Sequence, residues 1–155
     1  MTSPSTDTPA SESPRDWARK VFVMAGMANI MTILVATRAF TYPLISEVDP
    51  AAFGTPSLVL IMVWGCAYLA VAPHWRQLPQ MCLVFMLEKL VYVVMWTRWI
   101  SEHSDQLGGL WEQDPQIALF YGGYGVVDTG FSCFFFWAWL QARRPITDPQ
   151  APDGE

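Results

Sequence analysis

Residues 84–96 read VFMLEKLVYVVMW, an apolar run that carries Glu88 and Lys89 side by side where two more leucines would serve. On a helix each residue turns by about 100°. With Glu88 at the origin, Met81, Phe85, Lys89, Tyr92, Trp96 and Trp99 then fall in one wedge of about that width. Opposite them lie Leu83, Val84, Met86, Leu87, Leu90, Val91, Val93, Val94 and Thr97, an almost wholly aliphatic surface. A helix divided in this way turns its charges and rings toward protein and its aliphatic side toward an apolar surround. Adjacent positions do not face each other along a helix, so Glu88 and Lys89 are expected to find partners on other elements.

The surround is legible in the composition. The chain has 155 residues, 52% of them hydrophobic and 15% charged, with eight Trp and nine Phe, which is too apolar for a water-soluble domain of this size. Apolar runs at about 17–40, 56–73, 79–100 and 117–141 each approach the ~20 residues that cross a bilayer core as a helix. The expected architecture is all-α: one integral membrane domain over 14–142, an up-down-up-down four-helix bundle, flanked by polar, disordered tails at 1–13 and 143–155.

Punctuation residues agree with these limits. Ser13, Thr55 and Asp114 each precede a proline in a cap-then-proline pattern, and VDPAAFG at 48–54 repeats it as one interfacial turn. APHWRQLP at 72–79 is a tight hairpin framed by prolines, and Arg143 and Arg144 suit a helix C-terminus. Lys and Arg set the orientation. Arg15, Arg19, Lys20, Arg76, Arg143 and Arg144 fall on one side, and Arg38 and Arg98 on the other, which predicts cytoplasmic termini by the positive-inside rule. The opposite loops carry Glu47, Asp49, Glu102, Asp105, Glu112 and Asp114, which read as solvated carboxylates and account for much of the net charge of -5. The N-terminal stretch lacks the pattern of a cleaved signal peptide, so the first helix is expected to direct insertion itself. Cys66, Cys82 and Cys133 have no paired spacing and read as buried thiols. The sparing use of Asn and Lys hints at a bacterial source and so at the cytoplasmic (inner) membrane.

The other spans offer partners for the two charges. In the fourth, YGGYGVVDTG at 121–130 places Tyr121, Tyr124, Gly125, Thr129 and Ser132 on the side of Asp128, with Gly122, Gly123 and Gly125 small enough for another backbone to come near. In the first, Asn29 shares a face with Ala25, Gly26, Thr32 and Ala36. The second contributes Trp64, Gly65 and Tyr68. Counting from the helix ends at ~1.5 Å per residue places these groups at one depth. Asn29, Tyr68, Glu88, Lys89, Tyr92, Tyr124 and Asp128 therefore form the candidate mid-membrane layer.

A charge at that depth costs at least ~2.5 kcal/mol on insertion scales, and intramembrane charges are read first as functional. A structural reading has equal weight: Lys89 between Glu88 and Asp128 fixes the register of three helices. No Gly-rich phosphate loop, nucleophile triad or haem-type His pair occurs, which leaves any cofactor unknown, and there is no basic stripe for nucleic acid. His74 lies among interface anchors. His103, near Glu102 and Asp105, reads as a solvated side chain rather than a metal ligand.

Three stretches together, WGCAYLAVAPHWR at 64–76, LEKLVYVVMW at 87–96 and YGGYGVVDTGFSCFFFWAW at 121–139, resemble the small uncharacterised four-helix bacterial membrane proteins of the DoxX-like and BphX-like groups. The resemblance implies an inner-membrane protein without an assigned activity, and it carries over no catalytic residues. The leading expectation is a non-catalytic protein: an accessory subunit of a membrane complex, or a binder of an apolar molecule such as a quinone or sterol-like lipid. The alternative is a proton-coupled transporter or small membrane enzyme using Glu88 and Asp128 as acid and base, and transport would call for a homodimer.

Overall fold

In a computed structural model, residues 14–144 are described, and among them all regular structure is helical. Four long helices carry the fold: α1 (Pro14–Ala36), α4 (Thr55–Val71), α5 (Pro79–His103) and α7 (Pro115–Ala142). Short ones connect them: α2 (Leu44–Val48), α3 (Pro50–Phe53), a 3₁₀ turn (Ala72–Gln77) and α6 (Gln106–Gln113). The expected tail at 1–13, its Ser13 cap, and residues 145–155 lie outside the described residues.

Three stretches are long and apolar enough to cross a membrane: Asp16–Ala36, Thr55–Gln77 and Pro79–His103. The fourth long helix, α7, has 28 residues and is not among these three. Large apolar side chains are exposed along the outer faces of the long helices. Val84, Leu87, Leu90, Val91 and Val94 are exposed along α5, and Leu119, Val126 and Val127 along α7. Phe85, Glu88, Lys89 and Trp99 are buried, as the reading of residues 84–96 expects, while Leu83, Met86 and Val93 of the expected outward face are half-buried, as are Met81, Tyr92 and Trp96 of the inward one.

The long helices pack most closely as two antiparallel pairs, α1 with α4 and α5 with α7. In the first pair the backbones nearly touch: a Cβ on Gly26 would meet the Gly65 carbonyl oxygen at 2.7 Å, and one on Gly65 would meet the Gly26 carbonyl oxygen at 2.8 Å. In the second pair the indole of Trp96 lies flat against Gly125 and donates to the Tyr121 carbonyl at 2.8 Å. The expected backbone approach at Gly122 and Gly123 does not occur, since nothing lies within 4 Å of where their Cβ atoms would be.

Other local expectations are corrected. α1 stops at Ala36 rather than Phe40, because Arg38, Ala39 and Phe40 take left-handed φ angles of 48°, 55° and 66°. Thr55 is the first residue of α4 and Gly54 holds the cap position without a side-chain bond. Asp114 does cap α7, accepting from Gln116 N at 3.0 Å and Ile117 N at 3.4 Å, and Asp49 caps α3 through Ala52 N at 3.0 Å. Asp114 is not a solvated loop carboxylate: it is buried and accepts from Arg38 Nη2 at 3.1 Å. Cys82 is buried, but Cys66 and Cys133 are exposed on the outer faces of their helices.

Candidate functional site

The middle of the helix assembly is organised by Lys89, whose side chain is 3% exposed. Its Nζ lies 2.8 Å from Asp128 Oδ1 on α7, donates to Asn29 Oδ1 on α1 at 2.9 Å, and stands 3.9 Å from Oε2 of neighbouring Glu88. The strong partners are on other helices, because adjacent side chains on one helix diverge. Asn29 is held in turn by its Nδ2, which donates to the Ile61 carbonyl of α4 at 3.2 Å. Glu88 Oε2 accepts a short hydrogen bond from the Tyr68 hydroxyl on α4, and Oε1 has no partner. One ammonium therefore links all four long helices, directly to α1 and α7 and through Asn29 and Glu88 to α4.

Each contact has a local cause. The Gly26–Gly65 approach draws α1 against α4, which brings Asn29 within reach of the Ile61 carbonyl, and the seat of Trp96 on Gly125 draws α7 against α5 at the level of Asp128. Rings then fill the space toward the termini: Tyr68, Phe85, Phe135 and Phe22 pack edge-on or tilted at 4.6–6.3 Å between centroids. Such rings exclude water from beneath the charges.

Of the seven residues expected in the layer, five are joined by ion pairs or hydrogen bonds: Asn29, Tyr68, Glu88, Lys89 and Asp128. Tyr92 and Tyr124 make no hydrogen bond to the charged groups. Both pack on Phe53 of α3 instead, at 6.5 and 5.1 Å between centroids, and the buried Tyr124 hydroxyl has no partner. Sequence reading missed the role of α2 and α3, which tuck Ile45 and Phe53 into the end of the assembly opposite the termini. There Tyr121 donates to the Ile45 carbonyl at 2.6 Å and Phe53 meets Phe120, Tyr121 and Tyr124. The apolar AAF within VDPAAFG was the available signal.

A cavity of about 520 Å³ opens beside the charged layer. It lies between α1 and α7, which touch near the termini, where Trp17 packs on Phe134 and Trp137, and which are tied at the opposite end by Arg38 and Asp114. Between these two closures the helices stand apart. The cavity is flanked by the exposed side chains of Met31, Val35, Leu119 and Val127, and it also meets Asn29, Tyr124 and Asp128. Asp128 is the one member of the ion cluster that is both partly exposed, at 15% of its side chain, and in the cavity lining. No group of three or more His, Cys, Asp and Glu suited to a metal ion occurs among the described residues, and His103 stacks on Trp99. Comparison with protein-family models, with curated proteins and with solved structures finds no match for the chain.

Proposed function

We propose that this protein is a non-catalytic integral membrane protein that holds an apolar, lipid-like molecule in the cavity between α1 and α7. In this reading all four long helices span the membrane in an up-down-up-down bundle. Arg15, Arg19, Lys20, Arg76, Arg143 and Arg144 mark the cytoplasmic side by the positive-inside rule. The setting is a bacterial cytoplasmic membrane, in the company of the DoxX-like and BphX-like proteins that the sequence resembles. The lipid bilayer is then both solvent and source of the ligand.

The observation that carries the reading is the cavity itself. Its volume of about 520 Å³ falls within the ~300–1,000 Å³ usual for small-molecule sites, and such sites combine apolar walls with a few polar groups. Here the walls are mostly aliphatic and aromatic, with Asn29 and Asp128 among the few polar residues that line them. Behind them Glu88 and Lys89 are buried and Asp128 alone of the ion cluster reaches the cavity, which supports holding a ligand in a fixed geometry rather than conducting ions.

Gly123 gives the means to test this. It lines the cavity and nothing lies within 4 Å of its would-be Cβ, so a large side chain there enters empty space. Native mass spectrometry of protein purified in mild detergent should show wild type carrying an apolar adduct that Gly123→Phe lacks, with both proteins unfolding at similar temperatures. Identical adducts in the two proteins would overturn the assignment of the cavity.

A further inference from the structure

We infer that the C-terminal end of α7 binds an anionic phospholipid on its outer face, with the phosphate at the Arg143 guanidinium and the tails along Phe136 and Leu140. This site is separate from the α1–α7 cavity and rests only on the reading that the chain spans a membrane.

Charge is unevenly shared between the two ends of the molecule. At the end away from the termini, carboxylates outnumber Arg38 and Arg98, and Arg38 is paired with Asp114 at 3.1 Å. At the end that holds the termini, Arg19, Lys20, Arg76, Arg143 and Arg144 stand against one carboxylate among the described residues, that of Asp16. Neither Arg76 nor Arg143 forms an ion pair among the described residues. Each lies over an indole instead, Arg76 over Trp75 at 4.9 Å and Arg143 over Trp139 at 4.7 Å from the ring centroid. Stacking holds a guanidinium by its face and leaves its N–H edge for an acceptor, and that edge matches a phosphate in fork geometry. The two arginines differ in access: Nε of Arg76 is buried, whereas Arg143 is exposed and open to a ligand.

The helix face below Arg143 says what kind of anion fits. Phe136, Trp139, Leu140 and Arg143 fall within a wedge of about 100° on α7. Phe136 and Leu140 are 43% and 42% exposed, and Phe136 stacks on Trp139 at 5.6 Å. An apolar strip one turn from a stacked cation has the order of a phospholipid, tails first and phosphate after, with Trp139 at the level where indoles mark the membrane interface. A soluble anion, an acidic peptide or a nucleic acid would use the cation and leave the strip bare. Among lipids, net charge decides: a zwitterionic headgroup carries its own cation beside the phosphate, while an anionic one has its counter-charge supplied by Arg143, with Arg144 next to it.

Native mass spectrometry of the full chain in mild detergent, titrated with dioleoyl phosphatidylglycerol or dioleoyl phosphatidylcholine, separates headgroup from tail. Wild type should retain the anionic lipid at least about fivefold better, the scale of one cation at an anionic surface, and Arg143→Gln should lower the preference by about that factor. Its unfolding temperature should stay that of wild type, because Arg143 is exposed. Arg98→Gln, which removes an exposed cation from the other end, should leave the preference intact, as should Gly123→Phe, which fills the cavity. Equal retention of the two lipids by wild type, or a preference that survives Arg143→Gln, would overturn the inference. So would equal losses from Arg143→Gln and Arg98→Gln, which would show a response to overall charge, and so would a loss with Gly123→Phe, which would put the lipid in the cavity. Retention of neither lipid would overturn it together with the membrane reading.

Discussion

Lys89 and Asp128 sit on different helices with 2.8 Å between Nζ and Oδ1, and the same ammonium reaches Asn29 on a third helix. Removing the cation leaves two buried carboxylates facing each other with no counter-charge. Lys89→Met should therefore destabilise the protein by roughly 3–5 kcal/mol, as breaking a buried ion pair from one side does. Replacing Glu88, Lys89 and Asp128 together by Met or Leu should recover most of that loss, because no charge is then stranded. Thermal unfolding in detergent checks both. A triple variant as unstable as Lys89→Met would mean that the hydrogen bonds to Tyr68 and Asn29, not the charge balance, hold the helices together.

Tyr68 tests the other carboxylate. Among the described residues its hydroxyl is the only hydrogen-bond donor to Glu88 Oε2, and Oε1 has none. Tyr68→Phe keeps the ring among Phe85 and Phe135 and should cost roughly 1–3 kcal/mol, the penalty for an abandoned buried acceptor. A chemical-denaturation midpoint unchanged from wild type would count against this bond as a stabilising contact.

Glycines on two faces should respond oppositely to the same methyl group. At Gly26 the added Cβ meets a backbone oxygen at 2.7 Å, so Gly26→Ala must push α1 and α4 apart, at a cost of roughly 1–3 kcal/mol. At Gly122 it meets nothing within 4 Å, and Gly122→Ala should be neutral or stabilising by up to about 1 kcal/mol through helix propensity. Paired melting curves decide it.

Much of this arrangement can be read from residue order, and the exceptions share a cause. The buried Phe85, Glu88 and Lys89 and the exposed Val84, Leu87, Leu90, Val91 and Val94 of α5 follow from angular position, a property of one helix, whereas half-buried Met86 and Val93 depend on what packs beside it. Asn29, Glu88, Lys89 and Asp128 stand out because polar groups in apolar runs must find one another. Tyr92 and Tyr124 share the correct face but not the correct neighbours. Which ring meets which group depends on how far α3 reaches into the helices, and both rings pack on Phe53. The cavity was invisible for a related reason. It arises from a gap between α1 and α7, held open by contacts at both ends that come from residues far apart in the chain.

Asp114 should prove worth more than its ion-pair partner. It caps α7 through Oδ1 and accepts from Arg38 through Oδ2, with side-chain exposures of 60% for Arg38 and 7% for Asp114. Arg38→Ala removes a half-solvated pair and should cost at most about 1 kcal/mol. Asp114→Ala also strips the cap and should cost about 1 kcal/mol more. A double-mutant cycle read by thermal unfolding separates the two contributions, and equal losses from the single variants would contradict the capping role.

The sideways opening of the cavity changes what selectivity can rest on. In the membrane reading, a molecule that arrives past Met31 and Val127 has already left water, so covering its hydrocarbon with protein replaces one oily surround by another and gains little. Occupancy then follows the molecule's share of the lipid mixture rather than its aqueous concentration. Discrimination falls to the few polar atoms that line the cavity, Asp128 among them, which have to tell one membrane component from a large excess of others that carry the same tails.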